Sequence, residues 1–172
     1  YYPQSKLSIG FQTPVYSLRG NVSVSAALGL TRDDVYLNML PYMSNFEGSL
    51  LNNTENWVLI SNGLANNLSV KVGDSINVFG LKLKVAGIYN ATELDNLKDL
   101  DGYSMAPVNG IYYGQLAVFP IASQAAQGTV PHLSMAQVLV IPCNKAVELG
   151  GYIAEVSIIP KQKSEDIASM LT

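Results

Sequence analysis

The sequence is poor in the residues most chemistry needs. Its 172 residues include one cysteine, one histidine and one tryptophan, and only 13% are charged. A lone Cys143 excludes an internal disulfide framework and reads as a small buried hydrophobe beside Pro142. One His and one Cys cannot furnish a typical zinc set. A Cys–His nucleophile would need Cys143 and His132 to meet in space, and Cys143 has no Gly-rich or basic surroundings to lower its pKa. There is no Gly-x-Ser-x-Gly elbow and no phosphate-binding loop, so ATP hydrolysis and serine hydrolase chemistry are not expected of this chain. Ten Lys and Arg against thirteen Asp and Glu give a net charge of -3. Without a basic stripe to neutralise phosphates, nucleic acid is not an expected partner.

Long apolar runs are also missing. No stretch of about 18 apolar residues stands ready to span a membrane. The start, Tyr1-Tyr2-Pro3-Gln4, lacks the basic and apolar regions of a signal peptide. If the protein is membrane-attached, this chain is expected to be its trimmed soluble piece.

What is present is enough to build a core. Hydrophobic residues make up 48% of the chain, and the mean hydropathy is +0.19. Disorder is therefore not expected. The length suits one domain, or two small lobes packed intimately: one lobe from about 1–30 and 115–172, the other about 31–114.

Local signals place the elements. Residues 6–24 hold short β-type runs broken by Gly10, Pro14 and Gly20, with Val22 and Val24 alternating against Ser23 and Ser25. Thr31 and Asp34 form a capping box for a short helix ended by Pro41. Trp57 to Ile60 is a continuous apolar run of strand length, and Ser61 can cap a helix reaching Leu68. Gly73-Asp74 is a turn signal, 75–79 a strand, and Gly80 another turn. In 81–88, Leu81, Leu83 and Val85 share one face while Lys82 and Lys84 share the other, as in a strand with one wet side. Glu93 to Asp101 is acidic helix or loop.

From Gly102 to Asn144 no residue is charged, taking His132 as neutral. Pro107, Gly110, Gly114, Pro120, Gly128 and Pro131 interrupt this stretch and rule out a membrane helix within it. Part of it, 115–121, is strand-like. Beyond lie a buried strand at 138–141, a helix from Cys143 closed by Gly150-Gly151, and a strand at 153–159 stopped by Pro160. Ser164 caps a last helix. Strands mixed with short helices predict an α+β fold with mostly antiparallel pairing, ending in a split β-α-β arrangement.

Two segments carry a resemblance. In 57–89 a strand precedes Gly63-Leu64-Ala65 with Leu68, then Val72-Gly73-Asp74-Ser75-Ile76, Gly80, and Val85-Ala86-Gly87-Ile88. Just upstream, Glu47-Gly48-Ser49 is similar to an E-G-R element, with Ser49 in place of the basic residue. In 137–171, Val138-Leu139-Val140-Ile141-Pro142 leads to Leu149-Gly150, Val156-Ser157-Ile158 and Glu165-Asp166-Ile167-Ala168. In this order the segments resemble the extracytoplasmic core domain of MacB/FtsX-type ABC-transporter permeases, a group that includes lipoprotein-releasing transporters. They cover less than half the chain. Between Asn90 and Gln137 the chain is longer than the pattern, which leaves the substrate open.

The resemblance implies a MacB-like periplasmic core domain with no catalytic residues and no cofactor or metal. It would sit outside the cell membrane between transmembrane helices. It would work with an ATP-binding subunit and a second permease subunit, and pass ATP-driven motion to a substrate or partner outside. Gly73, Asp74, Gly80 and Gly87 would form its structural turn motif.

Within the uncharged stretch, Tyr103, Met105, Tyr112 and Tyr113 are the candidates for partner or ligand contact, since aromatic and Met side chains suit such surfaces. Tyr112, with Phe119, also reads as filling for a core beneath a long loop, and that is the favoured reading of those two. Four N-x-S/T sequons, at Asn21, Asn52, Asn67 and Asn90, would accept glycans on an exported chain. Two other classes compete with the permease reading. One is a free secreted or cell-surface binding module. The other is an exported enzyme holding calcium through Glu93, Asp95, Asp99 and Asp101, although their spacing does not match an EF-hand loop.

Overall fold

The structure is a computed structural model that describes residues 2–17, 20–53, 55–78, 80–97, 106–107 and 132–159. The strand-like 115–121, the helix expected after Ser164 and the candidates Tyr103, Met105, Tyr112, Tyr113 and Phe119 lie outside the described residues.

The chain opens with two long antiparallel strands, β1 (Tyr2–Ser17) and β2 (Gly20–Leu30). Gly10 and Pro14 do not break β1, contrary to the expectation of short runs. A bulge absorbs the irregularity: between Gly10 and Thr13 the register shifts, so that Phe11 and Gln12 stand opposite Ser25 alone. Pairing with β2 on both sides of the bulge then carries the strand through Gly10 and Pro14, while β8 (Tyr152–Ile159) pairs with its first half, Tyr2 to Ser8.

Thr31 caps α1 (Arg32–Asp34) through the expected box. Its Oγ1 accepts from the Asp34 amide at 3.3 Å, and Asp34 Oδ2 accepts from the Thr31 amide at 3.1 Å. The helix widens to a π turn over Val35–Met39 and tightens to a 3-10 turn at Leu40–Tyr42, where Pro41 sits near the start, the position proline tolerates. Next come β3 (Met43–Phe46), α2 (Gly48–Asn53) and β4 (Trp57–Ser61). Ser61 ends β4 and caps α3 (Asn62–Leu68), as its place after the apolar run predicts.

The hairpin that follows joins β5 (Ser75–Val78) to β6 (Leu81–Tyr89). Leu83 and Val85 are buried while Lys82 and Lys84 are exposed. Then come α4 (Ala91–Asp95), a 3-10 turn at Met135–Gln137, β7 (Val138–Pro142) and α5 (Cys143–Glu148). Gly150, at φ 84°, closes α5, with the amides of Gly150 and Gly151 donating to Val147 O and Ala146 O.

The strands make one mixed sheet in the order β2-β7-β4-β6-β5-β1-β8, with β3 on β6. Because β1 also pairs with β2, six of these strands close a circuit. Two pairings are parallel, β2 with β7 and β4 with β6, and the others are antiparallel. The fold is α+β and largely antiparallel, as expected. β7 and β8 run parallel with β2 and β1 between them, joined through α5, so the split β-α-β arrangement is present.

Alternation along the central strands feeds two hydrophobic clusters. Val58, Ile60, Leu139 and Ile141 enter one, with Leu64, Leu68, Ile76 and Leu83. Trp57, Leu59, Val138 and Val140 enter the other, with Leu30, Leu51, Tyr89 and Leu94. β4 and β7 are buried on both faces, which is why they read as unbroken apolar runs. Full burial of each large side chain contributes ~1.5–3 kcal/mol.

Candidate functional site at the base of the uncharged stretch

Of the uncharged stretch, the described residues are 106–107 and those from 132 onward. Residues 106–107 meet 132–133, and this meeting point is the base of the stretch. The Leu133 amide donates to Pro107 O at 2.8 Å, and His132 Nδ1 lies 2.6 Å from Ala106 O. From there the chain enters the 3-10 turn, and here four polar side chains from four elements grip successive residues.

Asp95, the last residue of α4, accepts from Ser134 Oγ at 2.7 Å and from the Met135 amide at 2.6 Å. Ser61, at the end of β4, donates to Ala136 O at 3.0 Å while accepting from the Leu64 amide at 3.1 Å. Tyr89, at the end of β6, places its hydroxyl 2.5 Å from Val138 O and 2.9 Å from Met135 O. Ser25 of β2 donates to Gln137 Oε1 at 2.9 Å.

Burial raises the stakes. Tyr89 and Ser61 are fully buried, where an unmet hydroxyl or carbonyl is expensive. Desolvation pushes the Tyr89 phenol far above its ordinary range, and the nearby Asp95 charge pushes the same way. Tyr89 is therefore a fixed neutral donor.

The sequence singled out Asp95 only as one of four acidic residues that might hold calcium. Its oxygens are instead committed to the turn. Glu93 accepts from Asn90 Nδ2 at 2.8 Å. Among the described residues no group of three or more His, Cys, Asp or Glu could hold a metal ion. Tyr89, Ser61, Ser25 and Ser134 were not singled out as a site. The available signal was a hydroxyl residue ending each of two apolar strands, Ser61 after 57–60 and Tyr89 after 85–88.

Cys143 and His132 occupy different surroundings. Cys143 lines a cleft of about 440 Å³ with Thr31, Arg32, Asp33, Glu55, Trp57 and Asn144. Burial, then the Asp34 charge, raises the thiol pKa, the reverse of what a nucleophile needs.

Gly73 and Gly80 are exposed at φ 93° and 80°, in the left-handed region glycine favours. Asp74 Oδ2 closes the first of these turns by accepting from the Lys71 amide at 2.9 Å. Gly87 lies within β6, at the bulge where the register with β4 shifts. A Cβ there would meet Phe46 at 3.0 Å and Leu59 at 3.1 Å.

Of the sequon asparagines, Asn52 and Asn67 are exposed on α2 and α3. Asn90 caps α4, its Oδ1 accepting from the Thr92 amide at 3.2 Å. Asn21 lies on β2.

No family model matches the chain, and no curated protein matches it. Solved structures do. The periplasmic region of MacB from Actinobacillus actinomycetemcomitans matches over 100% of this chain and 64% of its own, with TM-score 0.53 and 8% identity. The chain has the fold of that region. The extracellular domain of the noncanonic ABC-type transporter YknZ from Gram-positive bacteria covers 97% of this chain and 68% of its own, with TM-score 0.48 and 11% identity. A domain described as part of a permease protein from Porphyromonas gingivalis covers 99% and 61%, with TM-score 0.48 and 12% identity. The chain thus spans close to two thirds of each. Among its described residues no helix is long and apolar enough to cross a membrane.

Proposed function

We propose that this chain is the non-catalytic extracytoplasmic domain of an ABC-transporter permease. It passes ATP-driven motion to a substrate or partner outside the cell membrane. One observation carries the reading: the whole chain shares the fold of the MacB periplasmic region. The two sequence segments with the permease pattern support it from an independent direction. An ATP-binding subunit, a second permease subunit and flanking membrane helices would complete the machine, and nucleic acid has no place in it. The uncharged stretch, Tyr103, Met105, Tyr112 and Tyr113 included, is the proposed contact surface. Its anchored base suits a part that must move with the sheet.

The test uses the full-length protein in intact cells. Lys82 is exposed on β6. A Lys82→Cys variant in a Cys143→Ala background should react with a membrane-impermeant maleimide, while the protein stays in the membrane fraction after an alkaline wash. Release into the medium would favour a free secreted module and overturn the reading. In the reconstituted transporter, replacing 108–131 with a Gly-Ser linker should stop transport while ATP hydrolysis continues. Turnover of any nucleotide by this chain alone would overturn the non-catalytic assignment.

A further inference from the structure

The four grips on the turn differ in one respect. Asp95 and Ser25 serve the turn alone and Tyr89 serves the turn and the start of β7 directly after it, but Ser61 also serves a helix outside this segment. Its hydroxyl has one proton, donated to Ala136 O, and its oxygen caps α3 through the Leu64 amide. Ser61 is fully buried, so its proton cannot turn to water when the turn departs. A hydroxyl that loses its acceptor in a dry site must rotate to find another, and rotation moves the oxygen away from the Leu64 amide. Release of the turn and loosening of the α3 cap are thus parts of one event.

The other grips make that event concerted. If the Tyr89 contact breaks alone, the Val138 carbonyl loses its hydroxyl donor inside the core, while Met135 O keeps the Val138 amide. If the Asp95 contact breaks alone, the Met135 amide is stranded. Half-satisfied buried networks are worse than either fully made or fully opened ones, so partial release is disfavoured. We infer that the turn Ser134–Gln137 and the N-terminus of α3 form one two-state coupling element, closed or open as a unit, with the Ser61 hydroxyl as its shared link. It joins the base of the uncharged stretch to the β4–α3 unit. It is a property of this chain whether or not the permease reading holds.

Amide hydrogen exchange on the 172-residue chain tests this directly. Asp95 is only half-buried, so Asp95→Ala should fold. It should speed exchange at Met135 and, though Asp95 has no bond to α3, at Leu64 by the same factor, about tenfold. The Val85 amide, bonded to Asp74 O in the β5–β6 hairpin, should not change. Asp95→Asn keeps an acceptor for the Met135 amide and a partner for Ser134 Oγ, and should restore both sites. Tyr89→Phe should reproduce the Asp95→Ala pattern. In Ser61→Ala the link is gone, so adding Asp95→Ala should speed Met135 and leave Leu64 no faster than in the single variant. Faster exchange at Met135 with Leu64 unmoved in Asp95→Ala would overturn the inference. So would an equal rise at Met135, Leu64 and Val85, which is what general loss of stability produces.

Discussion

The Tyr89 hydroxyl lies 2.5 Å from the carbonyl oxygen of Val138, so the last residue of β6 is tied to the first of β7 across the centre of the second hydrophobic cluster. β6 and β7 are not neighbours in the sheet, since β4 lies between them. The bond therefore adds a link that the ladder does not supply. Tyr89→Phe keeps the ring and deletes only the donor, taking the hydroxyl from the buried Val138 carbonyl while Met135 O keeps the Val138 amide. The expected loss is about 1–3 kcal/mol, the desolvation penalty of an unmet buried group. Urea unfolding checks it through a lower midpoint at unchanged slope.

Alkaline pH offers a second reading of the same residue. The Tyr89 pKa is raised above the ordinary 10.0. Above pH 10 the unfolded chain gives up this proton and the folded chain keeps it. The unfolded state then binds fewer protons, so stability falls as pH rises, by up to about 1.4 kcal/mol per pH unit. Below pH 10 both states hold the proton and Tyr89 contributes no slope. The difference in stability between wild type and Tyr89→Phe should therefore shrink steadily above pH 10. A constant difference from pH 8 to 11 would contradict the assignment of Tyr89 as a fixed neutral donor.

Local chemistry was legible in the sequence wherever the partners are close along the chain. Thr31 and Asp34 are three apart and form their box as predicted, and Ser61 caps Leu64 over the same distance. The turn at 134–137 was not legible, because its partners Asp95, Tyr89, Ser61 and Ser25 are distant along the chain. No window of sequence contains such a pair, and each residue has an ordinary local reading. Tyr89 is a strand end, Asp95 a helix acid. β1 differs from its local reading for a related reason: Gly10 and Pro14 are local breakers, and pairing with the distant residues Ala26 and Ser23 of β2 overrides them.

Two glycines should respond to alanine for different reasons. At Gly87 the new methyl would meet Phe46 at 3.0 Å, Leu59 at 3.1 Å and Met43 Sδ at 3.2 Å. Leu59 is fully buried and cannot retreat, so overpacking should cost about 1–3 kcal/mol. At Gly73 nothing lies within 4 Å, but φ is 93°, and left-handed strain should cost about 1–2 kcal/mol. Phe46→Ala makes room beside Gly87 and should recover part of the first loss and none of the second. Thermal unfolding of the two double variants separates the causes.

Calcium should not stabilise the chain. A ligand that binds only the folded state must raise the melting temperature. The oxygens of Asp95 already accept from Ser134 and Met135, and Glu93 accepts from Asn90. Capturing Asp95 for a cation would release the turn, so binding would act against the closed fold. Millimolar calcium should leave the melting temperature unchanged, and a rise of several degrees would restore the metal reading.

Cys143 should behave as an unreactive thiol. Burial and the Asp34 charge both raise its pKa, so at pH 8 it holds less thiolate than an ordinary cysteine, and thiolate is the species that alkylates. Iodoacetamide should therefore modify it more slowly than it modifies a free cysteine peptide, with the gap closing in urea as the cleft is lost. Asp34→Asn removes the second cause and leaves the first. It should speed the native reaction, and the rate should stay below that of the peptide because burial persists. Asp34 also caps α1, so the comparison belongs at a temperature where the far-ultraviolet spectrum of the variant matches wild type. Faster alkylation of native wild type than of the peptide would show an activated thiol and reopen the nucleophile reading. Equal rates in wild type and Asp34→Asn would remove the charge from the explanation and leave burial alone.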